Sequence, residues 1–301
     1  FFTDQVLSQL SLEPTSPIIA SESNTPSKED RLFMLQTFLE GNLCPSLFLL
    51  RHSQMSLYSC GKTSGAILDS SSYVTSLSTI EEGYFVPEGY SQINFGGETI
   101  TGKIMEYFNK DYSNTLPEHV VNSGLDLNLL DESYFQYERT LFSRKVKKAL
   151  LSAEGTQATK YTLPDNSSFT LSSEIASLAQ NIFMLRPPKS SRSQLADLMA
   201  TSIQKTIDNK NDAKIFSSYI LTGGNASLQG FIEGTKTAIS DVNAQFSMSS
   251  KLFSFHNSKI RNLSVWIGGS IVGSIDSLIS CFITKSELAE FGDSVIDRKL
   301  L

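Results

Sequence analysis

Two periods of apolar residues alternate along this chain, and together they predict a series of strand, turn and helix units. Pro17-Ile18-Ile19-Ala20 is a short apolar run followed by a polar Ser/Asn/Pro turn, as expected of a strand. Beyond it Leu32, Leu35, Phe38 and Leu39 share one face of a helix running from Ser27 to Gly41. Ser27 with Asp30 three residues on reads as a capping box with Asp in place of Glu, and Gly41 is placed to end the helix. Ser46 to Leu50 reads as a buried strand leading into a short helix through Tyr58 and Gly61. This order predicts α/β units.

The stretch Ser64 to Ser76, S-G-A-I-L-D-S-S-S-Y-V-T-S, has a pattern of its own. The apolar run Ala66-Ile67-Leu68 ends in Asp69, and small hydroxyl residues follow before apolar character returns at Val74. A buried strand that delivers one carboxylate to a cleft edge and turns tightly back has this form, and so does a plain surface hairpin. Glu81 to Pro87 comes next, then a helix from Glu98 to Phe108 with Ile100, Ile104, Met105 and Phe108 on its apolar face. From Asn109 to Lys189 the chain is polar and Ser-rich, and its basic run Ser143 to Lys148 reads as a solvated helix face. Ser191 to Asn209 is a second amphipathic helix, with Leu195, Leu198, Met199, Ile203 and Ile207 expected on the buried side. Ser218 to Thr222 is an apolar strand stopped by Gly223-Gly224, with a helix after it around Phe231. A strand, a Gly-rich turn and a helix can cradle a phosphate or a base, although paired glycines alone are a weak signal. Ser264 to Ser274 is apolar and rich in small residues, which suits close packing against a neighbouring element or ligand.

Composition narrows the picture. With 301 residues the chain can form one large domain or two medium ones, and its 40% hydrophobic and 19% charged residues are those of an ordinary globular protein. A net charge of -6 argues against a nucleic-acid backbone as the main partner. Three cysteines (Cys44, Cys60, Cys281) and three histidines (His52, His119, His256) show no metal-binding spacing, which leaves reduced thiols as the default. Asn166, Asn225 and Asn262 stand in N-x-S sequons, a pattern that also arises by chance. No apolar run is long enough to span a bilayer and no signal-like start is visible; the chain opens at Phe1 without an initiator Met, as a fragment would.

The sequence resembles the actin family. S-V-W-I-G-G-S-I at Ser264 to Ile271, I-T-K-S-E-L from Ile283 and F-G-D-S-V-I-D-R-K at Phe291 to Lys299 parallel an actin's ending without a gap to Leu301. S-L-Y-S-C-G-K-T-S-G-A-I-L-D-S at Ser56 to Ser70, E-G-Y-F-V-P at Glu82 to Pro87, Y-T-L-P-D at Tyr161 to Asp165 and L-T-G-G at Leu221 to Gly224 lie in the family's order. The likeness weakens from Asn109 to Tyr161 and from Thr170 to Ile215. It implies an α/β, two-lobed fold of the actin, Hsp70 and sugar-kinase type, with ATP and a divalent cation in a cleft. It also implies that Phe1 corresponds to a point well inside an actin, so that the first strands and the first phosphate loop would be absent and the nucleotide site incomplete. Residues 1–62 are then the remainder of a first lobe, 63–260 the second lobe, and 261–301 a return to the first.

What the resemblance implies for the site is carried residue by residue. Asp69 matches the acid that orders the cation's water shell, making it the metal candidate, with Ser70 beside it. Ser71-Ser72-Tyr73 stands in place of Gly-Asp-Gly, whose glycines let backbone N–H groups reach the phosphates. His52 takes the position of the glutamine that positions the attacking water; a satisfied cleft or core histidine is the alternative reading. On the base side Gly223 and Gly224 are kept, with Asn225 next to them. Leu228 replaces the tyrosine that packs on adenine, Asn262 replaces a lysine, and Lys148 beside Lys147 aligns with a glutamate that binds the ribose. ATP or ADP with Mg is therefore expected to bind weakly, in altered form or not at all. The positions of the partner-binding cleft are Tyr58, Gly61, Thr63, Ile267, Ile271, Val272, Ile275 and Cys281, a set suited to an amphipathic helix, though such residues also pack a lobe. The expectation is an actin-related structural or adaptor subunit of a cytoplasmic, cytoskeletal assembly, partnered by other protein subunits, actin-family neighbours or a helix. A polymerising ATPase is the alternative, and a sugar or acetate kinase of the same superfamily is disfavoured by the actin-like C-terminus.

Overall fold

A short run of β-branched residues before a capping box is enough to start the first α/β unit. Strand β1 (Ile18–Glu22) lies parallel to β2 (Ser46–Arg51) with Ile18 opposite Leu47 and Glu22 opposite Arg51, and β10 (Ile283–Thr284) pairs antiparallel on β2's other edge. The crossover that a parallel pair requires is helix α1 (Lys28–Leu35). Its start is the predicted capping box: Asp30 N donates to Ser27 Oγ at 3.0 Å and Ser27 N donates to the Asp30 carboxylate at 3.1 Å. Leu35 and Leu39 are fully buried, with Leu32 and Phe38 packed against the same core.

The helix ends at Gly41 as expected, but by a different turn. It widens into a π-turn over Gln36–Glu40, with Gly41 N donating to Gln36 O at 3.2 Å. Gly41 has an ordinary φ of -68°, and it is Asn42, at φ 55°, that takes the left-handed conformation. Glycine is needed at 41 for a different reason: a Cβ there would sit 2.3 Å from Thr37 O.

The computed structural model describes residues 15–111, 131–151, 160–162, 168–170, 192–228, 230–254 and 258–300, with Gln5 and Gln9. His119, His256, Asn166 and the Leu163–Asp165 part of one family motif lie outside the described residues. The chain forms two compact units, one comprising Phe1–Ile67, Ser78–Pro87 and Leu263–Leu301, the other Leu68–Leu77 and Glu88–Asn262.

In the first unit the three-stranded sheet is packed by α1, α2 (His52–Ser59), α8 (Ser264–Gly273), α9 (Lys285–Phe291) and α10 (Ser294–Lys299) around Leu35, Leu47, Leu49, Met55, Val272, Ile283 and Val295. The glycines of α8 pack against a neighbouring element, as their size suggests: a Cβ on Gly268 would lie 1.8 Å from Met55 O on α2. One turn away the buried Ser56 and Ser264 hydroxyls meet at 3.3 Å. A buried ion pair ties β1 to α1 and to the C-terminal end. Arg31 donates to both Glu22 carboxylate oxygens at 2.6 and 2.9 Å, and its remaining arm donates to Leu300 O at 2.8 Å.

Strands β3 (Gly65–Ser70), β4 (Thr75–Glu81) and β5 (Tyr84–Ile93) carry residues of both units and join β8 (Ser218–Thr222) and β9 (Lys251–Phe253) in a five-stranded sheet of order β5-β4-β3-β8-β9. The second unit also contains α3 (Gly97–Asp111), α4 (Glu132–Leu151), α5 (Gln194–Asp208), α6 (Phe231–Phe246), the short α7 (Ser258–Arg261) and a small antiparallel pair, β6 (Lys160–Thr162) and β7 (Ser168–Thr170). On α3, Ile100 and Ile104 are buried as expected.

Two sequence expectations fail on these helices. Ile207 is 43% exposed, because the buried stripe of α5 drifts with the 3.6 period through Ser202 and Thr206 instead. The basic run of α4 is not uniformly solvated: Ser143 and Val146 are buried and Lys147 is half-buried, while Lys145 and Lys148 face solvent.

Replacing Gly268 with Ala should push α8 off α2 and lower the urea unfolding midpoint by the equivalent of about 3 kcal/mol. The control is Gly269→Ala, whose Cβ would meet only the Met55 side chain at 3.6 Å and which should cost less than about 1 kcal/mol.

Candidate functional site

The end of β3 builds the turn that the sequence marks. Ser70 is buried, and its Oγ lies 2.8 Å from Thr75 Oγ1, which in turn donates to Phe95 O. The chain reverses over Ser71 to Val74, closed by Ser71 N donating to Val74 O at 3.0 Å. Ser71, Ser72 and Tyr73 are exposed, Tyr73 by 70%, and none has a positive φ. L-residues thus fit this turn without backbone strain. Half-buried Asp69 is close enough to Tyr90 that its charge, after burial, helps to raise the Tyr90 hydroxyl above its usual range.

The start of α3 clasps this turn from behind. Gly97 N donates to Ser71 O at 3.0 Å and Glu98 N to Ser72 O at 2.7 Å. Gly96 is required by the approach, since a Cβ there would lie 2.5 Å from Ser72 O. Gly223 closes in from β8 with φ 93°, where a Cβ would meet Ser70 O at 2.3 Å. Asn225, buried in the 3₁₀ turn after Gly223, donates through Nδ2 to Ser70 Oγ at 3.0 Å and to Ser71 O at 2.7 Å. The structure therefore gathers Ser70, Ser71 and Asn225 into one hydrogen-bonded cluster, with Gly223 packed closely against it.

The other base-side positions are placed differently. Leu228 is 6% exposed and packs into the core. Asn262 and Lys148 are exposed, and among the described residues no hydrogen bond or ion pair joins them to the cluster. Lys147 Nζ donates to Gly97 O at 2.8 Å and to Thr101 Oγ1 at 3.0 Å, and burial depresses its pKa. Neighbouring Arg144 is 3.0 Å from the Glu98 carboxylate. Arg261, absent from the sequence expectations, is buried and donates to Ala226 O, bracing the turn that carries Asn225. The paired glycines at 96 and 97 before a helix were the one visible sign of α3's part in this cluster.

In the first unit His52 opens α2, and its Nδ1 lies 3.2 Å from Glu22 O. A carbonyl can only accept, so Nδ1 carries the proton and in the neutral ring Nε2 is left as the acceptor. The α2 and α8 walls form an apolar groove of about 360 Å³, which brings together Tyr58, Gly61, Thr63, Ile271, Val272 and Ile275 and adds Phe48, Leu50, Lys62 and Leu278. Ile267 is not among its lining residues, and Cys281 lines a separate polar pocket with Glu22, Arg31 and Lys299. All three cysteines are free thiols. Among the described residues no group of three His, Cys, Asp or Glu side chains is arranged to hold a metal ion.

Comparison with known proteins gives two findings. A family model described as Actin matches residues 3–301. The chain is also 25% identical over 290 residues to a Dictyostelium discoideum protein named "Putative actin-29", an alignment that covers 94% of this chain and 71% of that protein.

Because burial lowers the Lys147 pKa, the unfolded chain holds more protons than the folded one between the two values, and unfolding free energy should rise with pH across that alkaline window. Titration of the Lys147 side chain by NMR is expected to show a midpoint below those of the exposed lysines. The Lys147→Met variant should flatten that part of the stability profile.

Proposed function

Given that the chain belongs to the actin family and has its α/β fold, we propose that it is a structural or adaptor subunit of a larger cytoskeletal assembly, with a nucleotide site that no longer supports efficient ATP hydrolysis. The observation that supports this reading is that Leu228, which the resemblance sets against the base, is buried, while Lys147 is held by Gly97 O and Thr101 Oγ1. An aliphatic side chain turned into the core gives an adenine ring nothing to stack on. The fit to ATP or ADP with Mg is poor on these grounds. Asp69 stays in the proposal as the residue that would face a cation's water shell, and His52 as one that could hold a water through Nε2.

The apolar groove supports the adaptor role. Ile271 and Ile275 line it while remaining more than two-fifths exposed, and an amphipathic helix from another subunit would cover them. The partners are other protein subunits, including actin-family neighbours. Among the described residues no helix is long and apolar enough to cross a membrane.

A second reading, a divergent polymerising actin, draws on one observation. Among the described residues the Ser72 and Tyr73 N–H groups have no acceptor, so the turn keeps donors that a phosphate could use.

Chromatography of the nucleotide released from purified protein decides between the two. The adaptor reading expects far less than one nucleotide per chain and no pelleting under polymerising conditions. Stoichiometric nucleotide together with sedimenting filaments would overturn it in favour of the second.

A further inference from the structure

We infer that Asn225 is a built-in strut, a positioning residue whose carboxamide fixes the Ser71–Val74 turn from inside the second unit and makes its shape independent of nucleotide. The inference rests on the reading of the nucleotide site given above and deepens it.

Geometry carries the argument. Asn225 is 5% exposed, and both Nδ2 protons are used, one on Ser70 Oγ at 3.0 Å and one on Ser71 O at 2.7 Å. Its Oδ1 faces the start of α3, where a Cβ on Gly97 would approach it to 2.7 Å. The carboxamide is thus wedged between the strand end, the turn and the helix start. Ser71 O accepts from Asn225 Nδ2 and from Gly97 N, so both of its lone pairs are taken, and Ser72 O accepts from Glu98 N.

Peptide planarity turns these inward bonds into an outward orientation. Within a trans peptide the C=O and the following N–H point in opposite directions. Ser71 O aimed at Asn225 therefore aims Ser72 N–H away from it, and Ser72 O aimed at Glu98 does the same for Tyr73 N–H. One buried side chain and two helix-start amides thereby set the direction of consecutive peptide groups in an exposed turn. A shorter side chain at 225 could not span from the β8 turn to Ser71 O, and an acid could not donate there.

Hydrogen exchange of the whole chain, with and without ATP and Mg, tests the strut. In the wild-type protein the Ser71, Gly97 and Glu98 amides should be protected equally under both conditions. In Asn225→Ala they should exchange at least about five- to tenfold faster, the loss expected for one of the two buried hydrogen bonds it removes, while Tyr219 in β8 is unchanged. Asn225→Asp keeps the volume but sets an acceptor against Ser71 O, so it should exchange at least as fast as Asn225→Ala. Unaltered protection in both variants, or wild-type protection in Asn225→Asp, overturns the strut, the latter because it shows that only volume matters. If Asn225→Ala does not fold, the Asp comparison with wild type still decides. Protection that rises with ATP and Mg in the wild type instead sinks the nucleotide-site reading and the independence claimed here, while a variant difference measured without nucleotide would separately retain the strut.

Discussion

The contact on which the first unit depends is the crossing of α8 over α2 at Gly268, where one helix lies directly against the Met55 carbonyl of the other. Any larger residue at 268 would separate the helices, and everything built from the two would change with them. The Ser56 and Ser264 hydroxyl pair closes only at that spacing. Tyr58 on one helix and Ile271 on the other face the same groove because the axes are so close. Two segments far apart in sequence are thus bound into one body. The Arg31 guanidinium does similar work at the edge of the sheet by joining Glu22 to the Leu300 carbonyl. Losing one member of such a buried pair leaves an uncompensated charge, with a cost of about 3–5 kcal/mol.

In the second unit the organising problem is how a turn without glycines can be packed so closely. The solution is to put the glycines in its neighbours. Gly96 and Gly223 supply the close approaches around Ser70 to Ser72, and the turn itself stays in ordinary backbone space. The Ser71-Ser72-Tyr73 substitution therefore alters what the turn presents to solvent more than how it folds.

Much of this was legible in the sequence, for identifiable reasons. The capping box at Ser27 was readable because both of its bonds are local, and the α8 glycines because close helix packing demands small residues at that spacing. Local pattern failed where the deciding contact came from elsewhere. Gly41 ends the helix as its position suggests, but the reason that a glycine is needed there, the close approach to Thr37 O, comes from packing that local pattern does not show. Lys147 read as one of a run of solvated cations because periodicity cannot show that Gly97 O and Thr101 lie across the helix interface. Arg261 gave no signal at all, since a buried arginine is defined by the carbonyl it finds, here that of Ala226. Of the groove, the residues on α2 and α8 were foreseeable, whereas Phe48 and Leu50 enter from β2, whose apolar run served only as evidence for a strand.

The crossing at Gly268 has one more consequence. Two residues earlier in α8 stands Trp266, the only tryptophan in the chain, with 70% of its surface exposed. Burying one side of α8 so deeply turns the indole outward, where its emission should be long-wavelength and open to collisional quenching by acrylamide. The protein carries a native optical probe on the outer side of the helix that also walls the groove. Any subunit that covers this face would shift its colour and shield it, with no label attached.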